Sequence, residues 1–443
     1  MANFKNVVNN FKNIRVLVIG DIILDQFTYG TVTRVAPEAP VPILKKTHET
    51  FNLGGAANLA RNAATLGAKV TLVGVIGEDE HKDKVISLLR KHHIGSCMLV
   101  DPDRATTLKN RFVTAGTKQL VRLDEEHRVP LTEKQVHALV QQLCHLIEAS
   151  EVVVFSDYGN GMLTESLVSQ IFEKAHTHGV HVIADVKPKN KALFLGVDVV
   201  CVNKEELFHM TGALAKESIE SVGRMFMNEM QSAVLVKRGV DGVSVFDRDG
   251  VHTHIPAKKI TIADTTGVRD TFSAGVALSL ASGLSVVDSA RLANVAANIV
   301  VRKPGVATIF VEELRSALGI LSDVEDVAIV PKLWGYEKWL ENNDRYCCKL
   351  LVLKRGYQCS LHYHKNKDEM FLVTEGQVRM EIEEEVYHMM PGHYIRLKPG
   401  TNHRFTGVED SIIVEISTTH REEDSHRIEK AKVVPDITQL LQS

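Results

Sequence analysis

Short apolar runs alternate with amphipathic stretches along the first three quarters of the chain, and this rhythm predicts strands and helices in turn. Residues 15–21, Arg-Val-Leu-Val-Ile-Gly-Asp, form an apolar run closed by Gly-Asp, as a buried parallel strand would be. Residues 70–77, 152–157, 182–185, 199–203 and 233–237 repeat the pattern, with helical stretches at 56–66, 133–147 and 163–178. Such alternation predicts an α/β doubly wound parallel sheet with helices on both faces. Ligands of such sheets gather beyond the C-terminal strand ends, where Asp21, Asp157, Asp185 and Asn203 fall. Thr/Val-rich alternation at about 28–50 and 105–125 interrupts the rhythm and predicts a small β-lid over that edge. An acidic stretch, Ser322-Asp323-Val324-Glu325-Asp326, reads as a linker (322–330) between a first domain (1–321) and a second (331–443). From Lys349 onward short strands dominate, as an all-β barrel needs.

Composition narrows the function classes. A chain of 443 residues is too long for one ordinary core, and its 44% hydrophobic and 24% charged content is that of a globular protein. A net charge of −3 argues against nucleic acid as the main partner, because a phosphate backbone is met by a basic face. No apolar run approaches the length of a membrane span, and no apolar stretch precedes the first strand, so no signal peptide and a cytoplasmic location are expected. Cysteines 97, 144, 201, 347, 348 and 359 lack Cys-x-x-Cys spacing and read as reduced thiols, with Cys347-Cys348 in a strand.

Candidate chemistry appears first in the barrel. Residues 356–403 read Gly356-x5-His362-x-His364-x4-Glu369-x6-Gly376, then Gly392-x6-Pro399-Gly400-x2-His403. Strand alternation sends His362 and His364 to one face. Glu369 lies past a short turn, where the chain can return antiparallel beside them, and His403 follows a Pro-Gly turn on a later strand. Three imidazoles and a carboxylate suit a divalent transition metal such as Zn, Fe, Mn or Ni. The pattern resembles the two-part signature of the cupin family. The flanks Ser360-Leu361-His362-Tyr363-His364 and Pro399-Gly400-Thr401-Asn402-His403 resemble cupins of sugar-phosphate isomerases, mannose-6-phosphate isomerase among them. Pro399-Gly400 stands where the family often has Pro-x-Gly, and Gly407 where it has Asn; neither change removes a ligand. A metal there could polarise a sugar carbonyl for isomerisation. Glu337, Glu381 and Glu415 are candidate bases, and Arg404 and Lys338 could meet a phosphate.

The second constellation opens a helix: Asp264-Thr265-Thr266-Gly267-Val268-Arg269-Asp270-Thr271-Phe272-Ser273-Ala274-Gly275. Helix N-terminal N–H groups favour an anion in front of them, and an Asp in the first turn could take a proton from a substrate hydroxyl. Position alone leaves open that Asp270 only caps the helix. The segment resembles the Asp-Thr-x-Gly-Ala-Gly-Asp signature of the ribokinase (PfkB) family of sugar kinases. That family's first signature has a counterpart in Gly54-Gly55-Ala56-Ala57-Asn58-Leu59-Ala60-Arg61-Asn62. Gly20-Asp21-Ile22-Ile23-Leu24-Asp25, Ala36-Pro37-Glu38-Ala39-Pro40-Val41-Pro42 and Arg122-Leu123-Asp124 resemble the kinase half of bacterial heptose 7-phosphate kinase/ADP-heptose synthases. The His-x-Gly-His nucleotidyltransferase half is absent, and the cupin stands in its place. No Gly-x4-Gly-Lys-[Ser/Thr] motif supports a Walker-type ATPase.

The resemblance implies a ribokinase-like fold and a site. Asp270 would be the general base, and the amides of Gly267, Val268, Arg269 and Asp270 the anion hole. Asp25, Gly54, Gly55 and Asn58 would hold sugar hydroxyls, and Lys109, Arg111, Arg122 and Lys187 are candidates for a distal phosphate. Asn203-x-x-Glu206 matches the element that organises Mg²⁺ and phosphates through water, while Lys237, Gly239 and Asn294 would receive ATP. The implied reaction is transfer of the γ-phosphate of ATP to C1 of a heptose 7-phosphate, with the cupin isomerising a related sugar phosphate. Ribokinase-like lids often pair between subunits, so a homodimer is expected by analogy. Arg269 departs from the family's Gly: it could turn outward, clamp a phosphate oxygen, or block the hole and leave the cupin as the main catalyst or the chain as a sugar-phosphate sensor.

Overall fold

The computed structural model describes residues 4–114, 119–257, 265–303, 305–320 and 329–434. The chain divides into two compact units, Met1–Leu321 and Ser322–Ser443. Asp264 and residues 322–328 of the expected linker lie outside the described residues, and the strand Ile329–Lys332 begins where the linker was expected to end.

The first unit contains thirteen described strands: β1 Arg15–Gly20, β2 Ile22–Val35, β3 Pro42–Gly55, β4 Lys69–Gly77, β5 Gly95–Asp101, β6 Leu108–Thr114, β7 Gln119–Glu125, β8 Val152–Ser156, β9 His181–Asp185, β10 Val199–Asn203, β11 Ala233–Lys237, β12 Val243–Phe246 and β13 His252–Ile255. Nine of them form one sheet in the order β13-β12-β11-β10-β9-β8-β1-β4-β5. Pairing is parallel from β11 through β5, while β12 and β13 add an antiparallel edge. Successive residues of β1 enter opposite cores: Val16 and Val18 pack into one, Leu17 and Ile19 into the other. Both faces are dry, which is why these strands read as unbroken apolar runs. Full burial of each such side chain contributes roughly 1.5–3 kcal/mol, whereas the exposed Arg15–Glu151 pair contributes at most about 1 kcal/mol. Apolar burial, not surface charge, holds the sheet.

The lid is a separate four-stranded sheet, β3-β2-β6-β7. It starts earlier than the Thr/Val pattern indicated: β2 begins at Ile22 and β3 runs to Gly55. That extension matters, because Asp25 and Gly54-Gly55 thereby lie where the lid meets the main sheet, with Ile23 opposite Gly54 and Asp25 opposite Asn52. A side chain on Gly54 would collide with the Asp25 carboxylate, and Gly55 turns with φ 57 against the Asp21 carbonyl into the helix Ala56–Thr65.

The second unit is all-β. A six-stranded sheet runs Ile329–Lys332, Gly335–Asn342, Cys347–Leu353, Ser411–Ser417, Glu369–Glu375, Tyr394–Leu397. A seven-stranded sheet holds His362–His364 beside His403–Gly407. Cys347–Leu353 alternates buried and half-buried positions, the mark of a strand with one face on a core. Trp334 packs edge-on against Phe405 in that core, ring centroids 5.2 Å apart. All six cysteines are free. Among the described residues no helix is long and apolar enough to cross a membrane.

Candidate functional sites

Gly267 caps the helix Val268–Ala281 in the left-handed region, φ 81, and the chain turns from there into the first helical turn. Asp270 sits in that turn, 5% exposed. Asn58, from the helix after the double glycine, donates to its Oδ2 at 2.6 Å, and the Tyr158 hydroxyl donates to its Oδ1 at 2.7 Å. Burial pushes the Asp270 acid up to about 6, against the two hydrogen bonds, which favour the charged form. Each oxygen keeps a second lone pair for a substrate hydroxyl.

Tyr158 was not among the residues singled out from sequence. It is placed by Asp21, whose carboxylate accepts the backbone N–H groups of Tyr158, Asn160 and Met162 at 2.9, 3.2 and 3.1 Å. Asp21 thus shapes the loop after β8. The position of both residues at strand ends was the only signal available.

Of the three courses open to it, Arg269 does not turn outward. Its backbone is helical, without the positive φ that a glycine would be needed for. Its guanidinium turns sideways onto two buried carboxylates, with Nε 2.5 Å from Asp185 Oδ1 and a terminal nitrogen 2.6 Å from Glu206 Oε1. Lys237 and Ser273 bind the other Asp185 oxygen at 2.9 and 2.7 Å. Burial alone would raise the Asp185 acid, but Arg269 and Lys237 outweigh it and hold it well below the usual carboxylate range. Sequence placed Asp185 on the ligand edge without giving it this role.

Direct ligation of a divalent ion by Asn203 and Glu206 does not fit these side chains, which leaves the water-mediated role that the resemblance implies. The two residues form a reciprocal helix cap: Asn203 Oδ1 accepts the Glu206 N–H at 2.7 Å, and Glu206 Oε2 accepts the Asn203 N–H at 2.9 Å. The remaining oxygen, Oε1, already carries Arg269 and Lys187, the latter at 2.7 Å. Lys187, at its strand end, is thus part of this cluster and apart from the three candidate cations of the lid. Beside it a cavity of about 410 Å³ is lined by Asn203, Lys237, Gly239, Val268, Arg269 and Asn294 among others, with Phe272 and Val243 supplying apolar wall. Gly267, Glu206 and Asp270 do not border it.

On the lid, aligned cross-strand residues share a face. Asp25 is opposite Lys109, Lys109 opposite Asp124, and Arg111 opposite Arg122. Three cations thus share the face that carries Asp25. Each is paired: Arg111 with Asp25, Arg122 with Asp124 at 2.8 Å, and Lys109 with Glu126 at 3.3 Å.

In the second unit, the ligand atoms of His362, His364 and His403 lie within 4.8 Å of one another. Their Nδ1 atoms meet the carbonyls of Ser360, Asp424 and Thr401 at 2.7, 3.0 and 3.0 Å. This places the proton on Nδ1 and turns the Nε2 lone pairs inward. The buried His403 Nε2 has no hydrogen-bond partner. Burial lowers the His362 and His403 pKa values to about 3 and about 4, so both imidazoles are neutral. An orphaned lone pair among neutral imidazoles fits a metal ion.

Glu369 does not return beside the histidines, as its spacing suggested. It opens a strand of the opposite sheet and faces them across the barrel, 3.6 Å from His364 and 3.4 Å from His403. The buried Lys367 donates at 2.7 Å to Glu369 Oε1, the oxygen nearer His364, and also binds Glu415. Above the triad, a cavity of about 420 Å³ is lined by Glu337, Lys349, Lys367 and Glu415 with His362 and His364. Burial works to raise the Glu415 acid, but Lys349 and Lys367 outweigh it and bring it to about 2. Glu381 lies outside the lining, bound by Arg379 and Arg404; Arg404 also pairs with Glu429, and neither it nor Lys338 borders the cavity.

Comparison with known proteins matches residues 13–313 to the pfkB family carbohydrate kinase model and residues 349–419 to a cupin domain. The bifunctional protein HldE of Paramagnetospirillum magneticum is 38% identical over 315 residues, 70% of this chain and 64% of that protein. HldE of a Caulobacter species (strain K31) is 37% identical over 311 residues, 69% of this chain and 62% of that protein. The chain thus spans somewhat under two thirds of the length of these relatives. The tetrameric inhibited form of phosphofructokinase-2 from Escherichia coli superposes with a TM-score of 0.59 at 18% identity, covering 69% of this chain and 98% of that one. A carbohydrate kinase from Agrobacterium tumefaciens gives 0.57 at 20% identity, over 70% and 98%. These likenesses to solved structures show the fold.

Proposed function

Because the chain belongs to the pfkB family of carbohydrate kinases and carries a cupin domain, we propose that it phosphorylates a sugar phosphate and isomerises a related one. Family membership implies ATP and Mg²⁺ for the first reaction. The acceptor we assign is a heptose 7-phosphate, and the product its 1,7-bisphosphate. The likeness to HldE supports that choice, as do the three cations on the Asp25 face of the lid, suited to a distal phosphate.

The observation that carries the reading is Asp270 held between the sugar-side Asn58 and the first turn of a helix. In the reaction its carboxylate accepts the acceptor's hydroxyl proton as that oxygen bonds to the γ-phosphorus. The bond to the ADP oxygen breaks, and the first-turn N–H groups of Gly267, Arg269 and Asp270, which have no acceptor within the helix, face the transferring phosphoryl, while that of Val268 makes a long bond of 3.4 Å to the Thr265 carbonyl. Tyr158 steadies the carboxylate. Replacing it with phenylalanine removes a hydrogen bond that favours the ionised form, so the acidic midpoint of the pH–rate profile is expected to move upward, with the wild-type rate approached at high pH.

In the barrel, a divalent ion on the three histidines and Glu369 would supply a Lewis acid at the sugar carbonyl. Of the three candidate bases, Glu381 lies off the cavity, and Glu415 is a weak acceptor between two lysines. Glu337, which accepts only the Trp339 indole N–H at 3.0 Å besides longer ion pairs to lysines, suits proton transfer best. A homodimer formed through the lid is supported by its other face, where Val121 and Leu123 stay 55% and 52% exposed.

The test is a panel of heptose and hexose phosphates incubated with the full-length protein, ATP and Mg²⁺ in deuterated water, read by mass spectrometry. A gain of one phosphate on heptose 7-phosphate and uptake of carbon-bound deuterium on a phosphosugar are expected. Binding without either change would refute both activities and favour a sensor.

A further inference from the structure

The acid pair at the strand ends is already neutralised from within. Asp185 and Glu206 are 3% and 8% exposed, and each of their four oxygens has a donor. Arg269 serves Asp185 Oδ1; Lys237 and Ser273 serve Oδ2; Arg269 and Lys187 serve Glu206 Oε1; the Asn203 N–H serves Oε2. Arg269, Lys187 and Lys237 bring three positive charges, against one negative charge each on Asp185, Glu206 and an ionised Asp270, so the cluster sums to zero. Without Arg269 it would carry −1 in a buried setting, which calls for an outside cation. With Arg269 in place every oxygen of the two carboxylates already has a donor, so a divalent ion arriving with a nucleotide finds no unpaired oxygen on either of them. Arg269 and Lys237 also line the adjoining 410 Å³ cavity, so their charge meets whatever polyphosphate enters it.

We propose that Arg269 is the resident cation of this site, taking the protein-side place of a divalent ion on Asp185 and Glu206, so that metal-free ATP binds at least as tightly as its Mg²⁺ complex. The proposal rests on the kinase reading only in taking ATP as the ligand of the cavity. Arg269 acts here as a positioning residue. It sets the charge of the pocket, and Asp270 still does the chemistry. A fixed guanidinium differs from a metal ion in two ways: it cannot be removed by chelation, and its affinity for phosphate does not depend on shedding bound water.

Isothermal titration of the full-length protein with ATP, in excess Mg²⁺ and in excess EDTA, tests this. The wild type is expected to bind ATP with a dissociation constant in EDTA equal to or below that in Mg²⁺. Arg269→Gly is expected to shift the ratio at least about tenfold in favour of Mg²⁺, and Arg269→Lys, which keeps the charge, to stay within about threefold of the wild type. EDTA strips the cupin equally in all three proteins, so the comparison of ratios is unaffected. A wild-type protein that binds ATP ten times more tightly with Mg²⁺ overturns the proposal and needs no variant to fold. An Arg269→Gly ratio equal to that of the wild type overturns it as well. Absence of ATP binding in every condition overturns it together with the kinase reading. Metal-independent binding with no phosphoryl transfer to any sugar sustains it and refutes the kinase reading alone.

Discussion

Replacing Asp270 with asparagine is expected to lower kcat for phosphoryl transfer by about 10³-fold or more, within the range of about 10²–10⁴ found for loss of a general base. The substitution keeps shape and an acceptor oxygen but removes the proton-accepting charge. The buried carboxylate is held by Asn58 and Tyr158 with its acid raised to about 6, a value that leaves it ionised at neutral pH yet still basic. Affinity for ATP should not weaken, because Asp270 does not border the cavity proposed for the nucleotide and the substitution only removes a negative charge near it. Initial rates at saturating substrates, with thermal denaturation as the control for folding, make the comparison. A rise in KM for ATP with kcat unchanged would mean that Asp270 caps the helix and does no chemistry.

The second large effect concerns the barrel. Purified protein is expected to hold close to one transition-metal ion per chain by elemental analysis, and His364→Gln to weaken that site by at least about 100-fold, more than the loss typical of removing an outer-sphere partner. The three Nε2 lone pairs converge, and each ring is fixed by a carbonyl on its other nitrogen, so a missing imidazole cannot be replaced by a shift of its neighbours. Deuterium uptake into phosphosugar should fall with metal content while phosphate transfer from ATP persists. Full isomerisation by metal-free protein would make the triad structural.

Much of this arrangement could be read from the residues. Six of the seven parallel strands stand out because burial on both faces leaves their centres almost wholly apolar, and the three histidines because a metal demands fixed spacing. The strand β5 was missed: its residues are half exposed and at the sheet edge, so its pattern resembles loop. The short antiparallel β12 and β13 gave too few residues for a period to show. Gly54-Gly55 and Asn58 are local in sequence, and their motif announced the site. Tyr158 is held by Asp21 from 137 residues away, and no local pattern encodes such a contact. The direction of the Arg269 side chain was likewise decided by two carboxylates on other strands and helices. Glu369 shows the same lesson on a smaller scale: spacing gave its presence at the triad, and sheet topology gave the side from which it arrives.

The account turns on a carboxylate that removes a proton from a sugar hydroxyl, and the pH dependence of kcat/KM for the sugar phosphate tests it most directly, because that ratio reports the free enzyme. Asp270 must be deprotonated to act, so log kcat/KM is expected to rise with unit slope below about pH 6 and to level off above it. The Asp270→Asn protein should lack that limb. A wild-type profile that is flat from pH 5 to 8, or a rising limb that survives in Asp270→Asn, would contradict the assignment.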